Sequence, residues 1–282
     1  MIEIQALSFS YTKAPFIEDV SFAVEKGEIF GFLGPSGAGK STLQKILTGL
    51  LPDYGGSAKA FGTEVKRHGK YFYERIGIDF EFPTLYDKLT GRQNLAFFAS
   101  LYSGGTRDPG ELLACVELQN DANKRVSDYS KGMKSRLGFI RALVNDPDIL
   151  FLDEPTSGLD PANARLMKNV ILEEKAKGKT VILTTHNMQD AQELCDRVAF
   201  IVSGRIKVLD TPHNLIMQKG VGSIHYSWLE NGQEQTSECA PDQTGSDERL
   251  CELVRQGRIL TIHSAEPNLG DIFMEVTGRA LL

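Results

Sequence analysis

Apolar and polar residues alternate through about the first 30 positions, and the alternation breaks at Glu25-Lys26-Gly27, which reads as a turn. A period of two marks strands with one buried face, so an N-terminal antiparallel β layer is expected. Glu28-Ile29-Phe30-Gly31-Phe32-Leu33 is almost wholly apolar and reads as a buried strand, and a helix is expected over 41–47. A strand over 76–80 continues this αβ layer. From about 83 to 145 the pattern turns helical, with helices expected over 93–102, 109–118 and 130–144. In the last of these Leu137, Ile140 and Val144 share one face. Strands return at 149–152, 181–184 and 198–202, and a helix is expected over 161–177, closed by Gly178. Strands alternating with helices predict a mainly parallel sheet that carries an inserted helical subdomain at 83–145.

The character changes after about Gly220. Ile224, Tyr226 and Trp228 alternate with polar residues, and Asn231-Gly232 is a strong hairpin signal. The polar stretch 234–247 reads as a strand edge and loop. A helix over 248–256, a strand over 259–263 and a helix over 269–276 follow. The expected organisation is a first domain at 1–220 and a small α+β appendix of ββαβα order at 221–282, whose simplest reading is a packing or dimer-stabilising module.

Composition sets bounds on this picture. The 282 residues suit one large or two modest domains. A net charge of −6 argues against a nucleic-acid partner, which usually meets a basic face. Cys115, Cys195, Cys239 and Cys251 have no metal-ligand spacing and read as free thiols in a reducing cytoplasm. The start, Met1-Ile2-Glu3-Ile4-Gln5, does not read as a signal peptide. No apolar run approaches the roughly 20 residues that span a bilayer.

Two motifs carry chemistry. Gly34-Pro35-Ser36-Gly37-Ala38-Gly39-Lys40-Ser41 is a complete phosphate-binding loop between the predicted strand and helix. Its glycines let the backbone curl so that N–H groups approach an anion, and the helix N-terminus adds a favourable dipole. Lys40 would reach the terminal phosphates and Ser41 would offer its hydroxyl to Mg²⁺. The second motif is the apolar strand at 149–152 that ends in Asp153-Glu154. Asp153 is a hard oxygen donor suited to Mg²⁺, and Glu154, one residue on, points differently and can position or deprotonate an attacking water. Read alone, the same pair is an ordinary strand end that starts a turn before Pro155.

In order, these motifs resemble the nucleotide-binding subunit of ATP-binding cassette (ABC) transporters over roughly residues 1–215. Gly34 to Ser41 matches the Walker A loop and Ile149 to Glu154 the Walker B strand. Tyr129-Ser130-Lys131-Gly132-Met133 matches the signature motif, Ser157-Gly158-Leu159-Asp160 the D-loop, and Thr184-Thr185-His186 carries the switch histidine. The spelling of the signature, and the ending 267–278, resemble the branch that includes drug- and antibiotic-export ATPases. Lys131 and Met133 depart from the commoner Gly and Gln, while Ser130 and Gly132 are kept.

The resemblance implies a P-loop ATPase core with ATP and Mg²⁺ as cofactors. It implies Lys40, Glu154 and His186 as catalytic residues, and Ser41, Asp153 and Glu81 as candidate metal ligands. Nucleotide contacts would come from Tyr11, which would stack on adenine, and from the loop with Thr42. Ser130, Gly132 and Asp160 would contribute from a second cassette, the same or related. Glu81 stands where the family usually has Gln, so it reads either as a metal ligand or as a residue that passes movement to a membrane partner. Tyr11 also reads as a half-buried strand aromatic, His186 as a histidine satisfied at a strand end, and Asp160 as a helix N-cap before Pro161. The implied function is to power a membrane exporter through a transmembrane permease on a separate chain. The subunit itself would be cytoplasmic, peripheral on the inner face of the cell membrane. The alternative is a soluble ABC ATPase of repair, translation or iron–sulfur assembly.

Overall fold

The structure, a computed structural model, describes residues 1–80, 84–220, 222–265 and 267–278. The chain forms two compact units, Met1–Asp210 and a second that begins at Thr211.

The first unit opens with β1 (Ile2–Phe9) and β2 (Ile17–Val24), whose alternate residues are buried, as the period of two demands. The fully buried β3 (Ile29–Leu33) leads through the phosphate loop into α1 (Lys40–Leu47). β4 (Gly55–Ala60), β5 (Thr63–Glu64), a single helical turn α2 (Lys70–Tyr73) and β6 (Ile76–Asp79) follow. The helical segment consists of α3 (Gly91–Ala99), α4 (Pro109–Cys115) and α5 (Lys131–Arg141). Then come β7 (Ile149–Asp153), α6 (Pro161–Ala176), β8 (Thr180–Thr185), α7 (Met188–Leu194), β9 (Arg197–Val202) and β10 (Arg205–Asp210).

β2-β1-β4-β5 form an antiparallel sheet, and β10-β9-β3-β8-β7-β6 form the main sheet. The main sheet is parallel except for its last pair, β9 with β10. The two layers share one core, in which Phe22, Phe30 and Phe32 pack ring against ring at 5.2–5.3 Å.

The helices begin where caps dictate. Thr90 and Gln93 form a capping box that starts α3 at Gly91, two residues before the expected start. Asp108 caps α4 and Ser130 caps α5. Leu137, Ile140 and Val144 are all fully buried, but α5 stops at Arg141, so Val144 joins the core from the following turn.

The second unit comprises α8 (Pro212–Lys219), β11 (Ser223–Glu230), β12 (Gln233–Cys239), α9 (Glu248–Arg255), β13 (Ile259–Ala265) and α10 (Leu269–Thr277). Its sheet order is β12-β11-β13, and Tyr226, Trp228, Cys239, Leu250 and Leu253 make its small core. The ββαβα order matches the sequence reading. The boundary falls at Asp210 rather than near 220, because α8, capped by Thr211 with Pro212 in its first turn, belongs to the second unit.

Candidate nucleotide site

The phosphate loop needs its glycines for geometric reasons. Gly37 and Gly39 have φ of +77° and +113°, in the region that favours glycine. A Cβ on Gly34 would come within 2.3 Å of the Ile201 carbonyl oxygen. The Lys40 ammonium is curled back, donating to the carbonyl oxygens of Gly34 (2.7 Å) and Pro35 (3.3 Å), and lies 3.8 Å from Glu154 Oε1. A terminal phosphate would therefore exchange for contacts the loop already satisfies.

β7 and β8 bring the acidic pair to the same place. Ser41 Oγ donates to Asp153 Oδ1 at 3.1 Å, so the two candidate metal ligands already touch. Both are hard oxygen donors of the type Mg²⁺ takes. Thr184, opposite Asp153 in the parallel ladder, also donates its hydroxyl to Oδ1. Glu154 has φ +53°, a conformation an L-residue adopts only when its surroundings hold it there. Its Oε2 lies 2.9 Å from His186 Nδ1 and 3.4 Å from the His186 amide. A carboxylate only accepts, so Nδ1 carries the proton.

An open cleft of about 300 Å³ joins the loop residues Ser36 to Thr42 with Glu154, Ser157 and His186. Tyr11 stands beyond the end of β1, 55% exposed, with its hydroxyl 3.0 Å from Thr42 Oγ1 and its ring held edge-on by Phe9 and Phe16. It is therefore not the half-buried strand aromatic of the bland reading. His186 is satisfied, and the group that satisfies it is Glu154.

The remaining predicted residues lie elsewhere. Ser130 caps α5 by accepting from the Met133 amide at 3.2 Å, and Gly132 follows in the first turn. Asp160 caps α6, accepting from the amides of Asn163 and Ala162, and the backbone and side-chain hydrogen bonds from Asn163 chiefly hold its carboxyl below the usual range. None of the three is among the described residues lining the Lys40 cleft. Lys131, Ser157, Gly158 and Leu159 instead border a neighbouring cavity of about 430 Å³ that also reaches Asp153 and Glu154. Glu81 lies outside the described residues.

Three residues missed from the sequence bear on this region. Thr184 was readable only through strand register. Asp79 is buried beside Asp153, and its Oδ1 has no hydrogen-bond partner among the described residues. Burial pushes its carboxyl up to about 7, against the pull of Arg141 and with a further push from Asp153. Arg141 donates to the carbonyl oxygens of Thr84 (2.7 Å) and Ile78 (3.3 Å), either side of the segment that holds Glu81.

The ABC transporter family model matches residues 17–157, half of the chain. The chain belongs to the ABC transporter family, as an ATP-binding cassette with ATPase chemistry. It is 51% identical over 284 aligned residues to the fluoroquinolones export ATP-binding protein of Mycobacterium tuberculosis, covering 100% of this chain and 94% of that protein. It is 36% identical over 297 residues to the Nod factor export ATP-binding protein I of Sinorhizobium fredii, covering 99% and 87%. A solved structure of an ATP-binding subunit of an ABC transporter superposes with a TM-score of 0.70 at 30% identity, over 78% of this chain and 93% of that one. The dimeric post-hydrolysis state of an ATP-binding cassette bound to ADP and Pi, 23% identical with a TM-score of 0.67 over 75% and 98%, shares the fold. No helix among the described residues is long and apolar enough to cross a membrane.

Proposed function

We propose that this cassette is the ATP-hydrolysing subunit of a membrane exporter, and that two cassettes enclose each ATP between them. The observation that carries the reading is a division of the motif set. Lys40, Ser41, Glu154 and His186 line one cleft, with Asp153 joined to it through its hydrogen bond from Ser41, while Ser130, Gly132 and Asp160 are not among the described residues that line it. A second chain supplying those three would complete the site.

In this reading the phosphate loop and Lys40 hold the terminal phosphates, and Tyr11 stacks on the base. Ser41 and Asp153 would hold Mg²⁺, which supplies neutralising charge at the phosphates. Glu154 orients the attacking water and takes its proton. His186, donating through Nδ1, keeps the Glu154 carboxylate from turning away.

Both named relatives are export subunits, and nothing in the site favours the soluble alternative. A transmembrane partner would dock on an open apolar surface. A groove of about 340 Å³ on the first unit is lined by Tyr73, Ile78, Phe98, Leu101, Tyr102 and Arg141 among others. Leu101 is 56% exposed and Tyr73 43%, large apolar area left open to water. Because Arg141 also holds both flanks of the Glu81 segment, pressure on the groove would reach the nucleotide site. The subunit would then work at the inner face of the cell membrane.

The test is purification of the tagged full chain from detergent-solubilised membranes. A multi-span membrane protein should co-purify, and the pair in vesicles should move substrate only with ATP. A chain that hydrolyses ATP at full rate while no membrane protein ever accompanies it would overturn the export reading.

A further inference from the structure

Thr184 is fully buried, yet it carries a hydroxyl. A buried hydroxyl needs partners, and here both partners are in the acidic pair. The hydroxyl donates to Asp153 Oδ1. Its single proton is then used, and it accepts from the Glu154 amide at 3.2 Å. The same amide also reaches the Thr184 carbonyl oxygen at 3.1 Å. One side chain thus binds the carboxylate of Asp153 and the backbone of Glu154, consecutive residues with separate proposed tasks.

From this we infer that Thr184 is a positioning residue of the ATPase reaction. The inference rests on the roles proposed above for Asp153 and Glu154. Asp153 Oδ1 receives two hydroxyl donors, Thr184 from one side and Ser41 from the other. Two donors on one oxygen fix the carboxylate plane and leave Oδ2 as the oxygen with no hydrogen-bond donor among the described residues. A carboxylate rotated about its bond to Cβ would present a different atom. At Glu154 the bifurcated contact sits on a residue at φ +53°, a conformation that is strained unless held. Two residues on, the same strand end delivers His186 to the Glu154 side chain. The segment from Thr184 to His186 therefore sets one carboxylate through a hydroxyl, the other through an imidazole, and their shared peptide through the Thr184 hydroxyl and carbonyl.

A valine at this position has the same shape and suits a buried strand, so it isolates the hydroxyl from packing. The experiment compares wild type with Thr184→Val, Thr184→Ser and Glu154→Gln in the full chain. It reads kcat, KM for ATP, the Mg²⁺ concentration at half-maximal rate, fluorescent-ATP binding in EDTA, and thermal unfolding. For Thr184→Val, kcat should fall about tenfold and half-saturating Mg²⁺ should rise severalfold, as loss of a hydrogen bond to a charged group implies. ATP binding in EDTA should stay within about twofold, since no ATP contact is assigned to Thr184. Thr184→Ser should recover most of the rate. A Thr184→Val enzyme with wild-type kcat and Mg²⁺ dependence, beside an inactive Glu154→Gln, would overturn the inference. So would a Thr184→Ser enzyme as impaired as Thr184→Val. A fully active Glu154→Gln would overturn the underlying assignment of Glu154 instead.

Discussion

Glu154 Oε2 and His186 Nδ1 lie 2.9 Å apart although 32 positions separate them in the chain. The contact joins the ends of two parallel neighbours, β7 and β8, and it ties the proposed water-activating carboxylate to the proposed switch histidine. Glu154→Gln keeps the shape and removes the base. Its turnover is expected to fall by at least about a hundredfold with ATP affinity kept. His186→Ala should lower kcat more than it changes KM, because the imidazole acts on Glu154 rather than on ground-state binding. Steady-state kinetics beside nucleotide-binding titrations check both, and near-normal turnover in Glu154→Gln removes it from the mechanism.

Asp79 predicts a pH effect on stability in the nucleotide-free protein. Its folded carboxyl is raised to about 7 by burial, above its unfolded value near 4. The folded chain then holds a proton that the unfolded chain releases. Stability from this group is full below about pH 4 and is lost as pH rises through about 7. Asp79→Asn removes the titration. In EDTA it should melt about 5 °C above wild type at pH 8, with the gap narrowing towards pH 5. Equal melting curves at pH 8 would reject the buried, proton-holding carboxyl.

Leu101 separates coupling from catalysis. It lies in the open groove, which none of the described residues assigned to ATP lines. Leu101→Glu should leave the isolated subunit's ATPase within about twofold while abolishing co-purification with the membrane partner, since a charge placed in an apolar contact goes unpaired. Retained co-purification and retained transport would move the docking surface elsewhere.

The parallel strands of the main sheet were legible because buried strands such as Ile149–Asp153 are continuous apolar runs with no competing period, whereas the antiparallel edge strand β10 was not read. Nor were short elements legible. α2, a single turn, falls below the length at which a helical period can be read, and the seven-residue α7 follows β8 too closely to have been separated from it. The C-terminal unit begins at Thr211 rather than near 220 because α8, which no sequence reading singled out, groups with the second unit by its packing. Within the site, the motif residues were named from resemblance, but their division between cleft and outer surface depends on topology. Thr184 enters the motif set only as a neighbour of His186, and Asp79 is in none of the motifs named. Their significance comes from register and burial, since β7 lies between β6 and β8, with Thr184 opposite Asp153 and Asp79 opposite the preceding Leu152.

Hydrolysis is proposed to need two chains, because Ser130 and Gly132 are not among the described residues that line the cleft holding Lys40 and Glu154. The most direct test is the ATPase rate per chain across a dilution series, with molecular mass measured on the same samples. The account predicts a rate that follows the dimer fraction and approaches zero in the monomer. It also predicts recovery of activity when inactive Lys40→Ala and Ser130→Arg chains are mixed, since each mixed dimer holds one intact site. A verified monomer that hydrolyses ATP at the dimer's rate per chain would contradict it.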